Sequence, residues 1–149
     1  MTTRRRRSAD GSALVEITWL TILLLIPLVY LLISVFEVQR GAYGVSAATR
    51  AAGRAYVLSP DQETGAVRAA GAARVALRDQ DLSFAPEDLA ITCEPRPDSC
   101  LSPGSVVVVS LDVQVALPLV PEVFGDAPAT VRVSGTHRAP YGTFREERP

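Results

Sequence analysis

Between Ala13 and Phe36 the chain reads ALVEITWLTILLLIPLVYLLISVF, with a single charged residue, Glu16, inside it. A helix of about 20 apolar residues crosses a bilayer. A removable secretory signal carries an apolar region of only about 7–15 residues. The length therefore predicts a membrane anchor. A signal-peptidase-like VSAAT at Val45 to Thr49 keeps a second cleavage reading open, but the helical pattern runs through it without a break. Pro27 lies mid-span, where it removes a backbone donor and clashes with the carbonyl of Leu23, so a kink is expected. That kink is either harmless or a point where the helix extends or melts on packing.

Charge sets the expected orientation. Arg4, Arg5, Arg6 and Arg7 precede the apolar run, and the chain has arginine but no lysine. In a soluble protein such a block could bind nucleic acid. Beside a span it is a topology signal, because positive residues stay on the cytoplasmic side. The N-terminus is then cytoplasmic and the rest extracytoplasmic, with the cell membrane as the location. No asparagine occurs, so there is no N-glycosylation sequon.

Past the span, EVQRGAYGVSAATRAAGRAYVL continues as helix to about Leu58. Gly41, Gly44, Ala47, Ala48, Ala51, Ala52 and Ala55 give it a small-residue face that permits close approach. That face lies either on the chain's own domain or against neighbouring subunits of a filament. Arg50 and Arg54, four apart, share a face. Ser59 as N-cap, Pro60 as first helical residue and Gln62 at the capping-box position predict a second helix running to about Arg78. Val67, Ala70, Ala73 and Leu77 form its expected buried stripe.

From residue 82 the period changes to two. Leu89, Ile91 and Cys93 alternate with Ala90, Thr92 and Glu94. Val107, Val109, Leu111, Val113, Val115 and Leu117 follow the same period, and then Val131 and Val133, with Arg132 and Ser134 outward. This predicts a half-buried antiparallel sheet of about three strands with a helix over its apolar face. Pro118, Pro121 and Pro128 confine the connection between the last two strands to a loop or short turn, and the tail after Tyr141 is expected to be loose. The fold class is α+β. Residues 1–11 are a basic leader, 12–58 the long helix with its span at 13–36, and 59–149 an extracytoplasmic domain.

Cys93 and Cys100 flank EPRPDS, and outside the cytoplasm such a pair is expected to form a disulfide. Two cysteines make half a zinc shell, which argues against a metal site. His137, the single histidine, falls on the Val131/Val133 face near a strand end and reads as structural. No nucleophile motif, HExxH, phosphate loop or dinucleotide fingerprint occurs. The sequence predicts no enzyme, no cofactor, no small-molecule substrate and no nucleic-acid partner.

A carboxylate in lipid is costly, about 2.5–3.5 kcal/mol at a span centre and less near its edge. Glu16 either snorkels to the headgroups or awaits a partner. It follows Gly11 by five positions, and Gly11 closes the basic leader. Basic leader, glycine, four residues, glutamate and an apolar helix together resemble the class III signal of type IV pilin-like proteins. The resemblance implies a membrane peptidase that cuts after Gly11 and leaves Ser12 as the new N-terminus. Glu16 could then neutralise the free amine of a neighbouring subunit in low dielectric.

SALVE, FEVQRGAYGVSAATRAAGRAYVLSPD, the loop between the cysteines, LSPGSVVVVSLDVQVALPLVP and SGTHRAPYGTFRE, in this order, resemble the TadE-like minor pilins of Flp/Tad pilus systems. Flp major pilins usually carry Tyr after the Glu, where this chain has Ile17, and they have almost nothing beyond the helix. The resemblance thus implies a minor pilin or pseudopilin that assists pilus assembly. Its implied partners are the membrane, a prepilin peptidase, other pilin subunits and the Tad assembly platform. The competing reading is a signal-anchored single-pass protein whose outer domain binds an envelope or secretion partner.

Overall fold

The structure is a computed structural model that describes residues 10–118 and 129–149, with side chains from Ala13 onward. The arginine block and the loop containing Pro121 and Pro128 lie outside the described residues.

Helix α1 runs unbroken from Asp10 to Val57, 48 residues, through Pro27. Two physical regimes favour the same conformation. In an apolar medium the helix satisfies every backbone group within one segment. Beyond the apolar run, alanine-rich sequence supplies the strongest helix former. Pro60 ends it, because it pushes Ser59 out of the helical region. The Ser59 hydroxyl then donates to the Ala55 carbonyl at 2.8 Å.

Helix α2 spans Gln62–Arg78. Its cap differs from the expected one. Asp61 is the N-cap and accepts the Thr64 amide at 2.7 Å and the Thr64 hydroxyl at 2.9 Å. Ser59 cannot serve, since its hydroxyl is engaged by α1. The buried stripe also differs: Gly65, Ala69, Ala73 and Leu77 are buried, while Val67 is 70% exposed and Ala70 half-buried. The reason is steric. α2 lies close against α1, so from Gly65 to Ala73 its buried positions are small; at Gly65 the Tyr56 ring sits 3.2 Å from where a Cβ would be.

A short 3₁₀ turn at Pro86–Asp88 leads into strands β1 (Leu89–Glu94), β2 (Val106–Ala116) and β3 (Thr130–Pro140). They form one antiparallel sheet in the order β1-β2-β3, with Leu89 opposite Leu111 and Val113 opposite Val133. The inward residues of β2 are Val107, Val109, Leu111, Val113 and Val115, all buried, as the alternation predicts. Burying a side chain of this size stabilises by roughly 1.5–3 kcal/mol. The arrangement is the α+β layout expected from sequence.

The distal half of α1 is the shared element. Val45, Ala48, Ala52 and Tyr56 join Leu77 of α2, Leu101, Val107, Val109, Leu111 and Val113 of β2, and Tyr141 in one core. Backbone approach is close at two points. A Cβ on Gly41 would lie 2.5 Å from a Val115 methyl, and one on Gly135 would lie 2.6 Å from a Val45 methyl. Helix and sheet can meet at this distance because each glycine faces a valine on the other element. Much of the small-residue face of α1 is therefore occupied by the chain's own domain.

Candidate functional site

Every residue of α1 from Ala13 to Val29 is exposed. Leu14, Leu20, Ile26 and Phe36 each leave more than 60% of their surface uncovered. A contiguous apolar surface of this kind marks an interaction site rather than a soluble exterior. The residues from Ala13 to Phe36 extend about 36 Å at 1.5 Å per residue, more than the roughly 30 Å of a hydrocarbon core. The helix is long and apolar enough to cross a membrane.

Its threonine and serine hydroxyls are satisfied within the helix. Thr18 donates to the Leu14 carbonyl at 2.8 Å, Thr21 to Ile17 at 2.8 Å and Ser34 to Tyr30 at 2.9 Å. Glu16 is the exception. It is exposed and has no ion-pair partner among the described residues. Gly11 and Ser12 already belong to the helix. Ser12 and Glu16 are four apart, hence one turn apart on the same face.

The end of the domain far from the span is built around Cys93 and Cys100, which form a disulfide with Cα atoms 5.2 Å apart. Gln62 stands at its centre. Its side-chain oxygen accepts the Cys100 amide at 3.3 Å, and its side-chain nitrogen donates to the Asp98 carbonyl at 3.2 Å. This is a longer-range use than the expected capping role. The C-terminal tail is tied into the same end, contrary to the loose tail expected. Arg145 donates to the Val57 carbonyl at 2.8 Å and Arg148 to the Ser59 carbonyl at 2.9 Å. The Arg148 amide bonds Leu101, and the Gln62 amide bonds the Pro149 carbonyl. Two guanidinium groups thus answer carbonyls at the C-terminal end of α1, where the helix dipole favours positive charge. Tyr141, where the tail leaves β3, is buried and donates its hydroxyl to the Glu146 carbonyl at 2.7 Å.

Elsewhere, polar pairing holds the surface together. Arg40 bridges to Glu37 at 2.8 Å, and Arg138 pairs with Glu94 across the sheet. Arg50 and Arg54 are both exposed. His137 is half-buried on the inner face, beside Gly53. Among the described residues no group of three or more His, Cys, Asp and Glu is placed to hold a metal, and no buried side-chain nitrogen or oxygen lacks a hydrogen bond. Comparison with models of protein families, with curated proteins and with solved structures finds no match to this chain.

Proposed function

We propose that the chain is a TadE-like minor pilin or pseudopilin, cut after Gly11 by a prepilin peptidase, that assists assembly of a Flp/Tad-type pilus without catalysing a reaction. The observation that carries this reading is Glu16: the sole charge in the exposed apolar run from Ala13 to Phe36, five positions after Gly11, with no ion-pair partner among the described residues. Cutting would change its surroundings. Glu16 would move from inside a longer helix to the edge of the first turn, where the macrodipole favours a carboxylate. The new Ser12 amine would lie one turn below it on the same face. In an assembly, the amine of one subunit and the carboxylate of the next would each meet an opposite charge in low dielectric, where an unpaired charge is costly.

The Cys93–Cys100 disulfide supports an oxidising, extracytoplasmic location for the domain, with the N-terminus in the cytoplasm. A second reading is a signal-anchored single-pass protein whose domain binds an envelope or secretion partner. It is favoured by one observation: the small-residue face of α1 above Gly41 largely packs on the chain's own domain and is not free for a filament neighbour.

Mass spectrometry of the N-terminus separates the two. Processing predicts material starting at Ser12 and, for Gly11→Val, full-length membrane-inserted chain. Native protein that keeps its N-terminus at Met1, or begins near Ala48, would overturn the pilin reading.

A further inference from the structure

Where the exposed half of α1 enters the domain, the structure holds an open groove of about 490 Å³. Tyr30, Leu31, Ser34 and Val38 of α1 form one wall, and Leu117 and Val131 from the ends of β2 and β3 form the other. Of the two hydroxyls on that helix wall, the one on Ser34 is already bonded to the Tyr30 carbonyl, and the other is the phenol of Tyr30 itself. The lining is otherwise aliphatic or aromatic apart from Gln39 at its upper end, next to the Glu37–Arg40 pair.

Depth decides what such a groove meets. With Glu16 at one boundary, a hydrocarbon core of roughly 30 Å takes up about 20 residues at 1.5 Å each, ending near Phe36. Val38 is two positions farther. The sheet hangs down beside it, because Val115 and Val133 face Gly41 and their strands run on to Leu117 and Val131. The sheet end thus reaches the level at which acyl chains give way to headgroups. The groove is open to the same apolar surface that α1 presents to lipid, and polar groups begin only at its outer rim.

We propose that this groove takes an acyl chain of a lipid from the leaflet on the domain's side, so that Leu117 and Val131 touch lipid and the sheet end is seated in the membrane surface. The lipid fixes the domain's standing on the bilayer. This inference rests only on placing α1 in a bilayer, not on processing or on a pilus, so it can fail while the pilin reading stands.

The test uses the full chain in nanodiscs at one copy per disc. Trp19 is the single tryptophan, and its quenching by lipids brominated near the headgroup end of the acyl chain sets the value for an embedded indole. In a Trp19→Phe background, Val131→Trp and Leu117→Trp should be quenched at least half as strongly. Val67→Trp, on the exposed face of α2, should be hardly quenched. Quenching at both groove positions no greater than at Val67→Trp would overturn the proposal, whether a second copy or another part of the chain excludes lipid. If an indole disturbs folding, the unsubstituted protein with acyl-chain spin labels gives the same answer. Selective broadening of the Leu117 and Val131 methyl resonances supports the site, and its absence overturns it.

Discussion

Ser59, Pro60 and Asp61 show how three adjacent residues end one helix and start another. Ser59 turns its hydroxyl back onto α1, Pro60 supplies the break, and Asp61 caps α2. The Asp61 carboxyl is held below the usual carboxylate range, first by the Thr64 amide and then by the Thr64 hydroxyl, with a smaller contribution from the Arg68 charge. The sign of the pH dependence follows. A depressed native value means the cap's contribution is fully present above the unfolded carboxyl pKa, about 3.9, and is lost as pH falls through the native value. Asp61→Asn keeps an acceptor for the Thr64 amide but does not titrate. The native protein should be modestly more stable at neutral pH, and the difference should close below about pH 4. Thermal midpoints of both proteins across that range would check this, and a gap constant with pH would count against a titrating cap.

At the scale of elements, the strands were the most legible part. Along β2, valine and leucine alternate with polar residues, and burial follows that alternation from Val107 to Val115. α2 was legible as a helix but not as a face. Periodicity assigned Val67 inward on hydrophobicity, whereas a seam between closely packed helices selects for size and buries Gly65 and Ala69 instead. The tail was misjudged for a different reason. Its order comes from single arginines reaching carbonyls far away in the chain, and no local pattern encodes that. The groove was equally hidden, because only the antiparallel register brings Leu117 and Val131 together beside Val38. Since Arg148 joins the tail to the turn between α1 and α2, Arg148→Ala should destabilise the domain by about 1.5–3 kcal/mol, the loss expected for a charge-assisted hydrogen bond to a backbone carbonyl. Thermal unfolding of the purified protein in detergent would measure it, with Arg132→Ala, on the outer face of β3, as an exposed comparison expected to change little.

At the scale of the whole molecule, the absence of a linker matters most. The apolar run and the domain share one helix of 48 residues, about 72 Å long at 1.5 Å per residue. This continuity was legible in the residues, since no proline falls between Phe36 and Leu58. A jointed anchor would let its two halves turn independently; this one acts as a crankshaft. Glu16 and Val45 stand about eight full turns apart, so the carboxylate points to the same side as the sheet. A turn of the span about its axis is carried to the domain along the same helix. One alanine inserted after Glu37 would rotate Glu16 by about 100° against the domain while displacing it by only about 1.5 Å. If partners grip span and domain together, that insertion should abolish co-purification with pilin subunits, while Glu37→Ala, which shifts no phase, should leave it intact. Undiminished association in the insertion variant would mean that the two ends are gripped separately. The angular setting of the helix would then be free to drift without consequence.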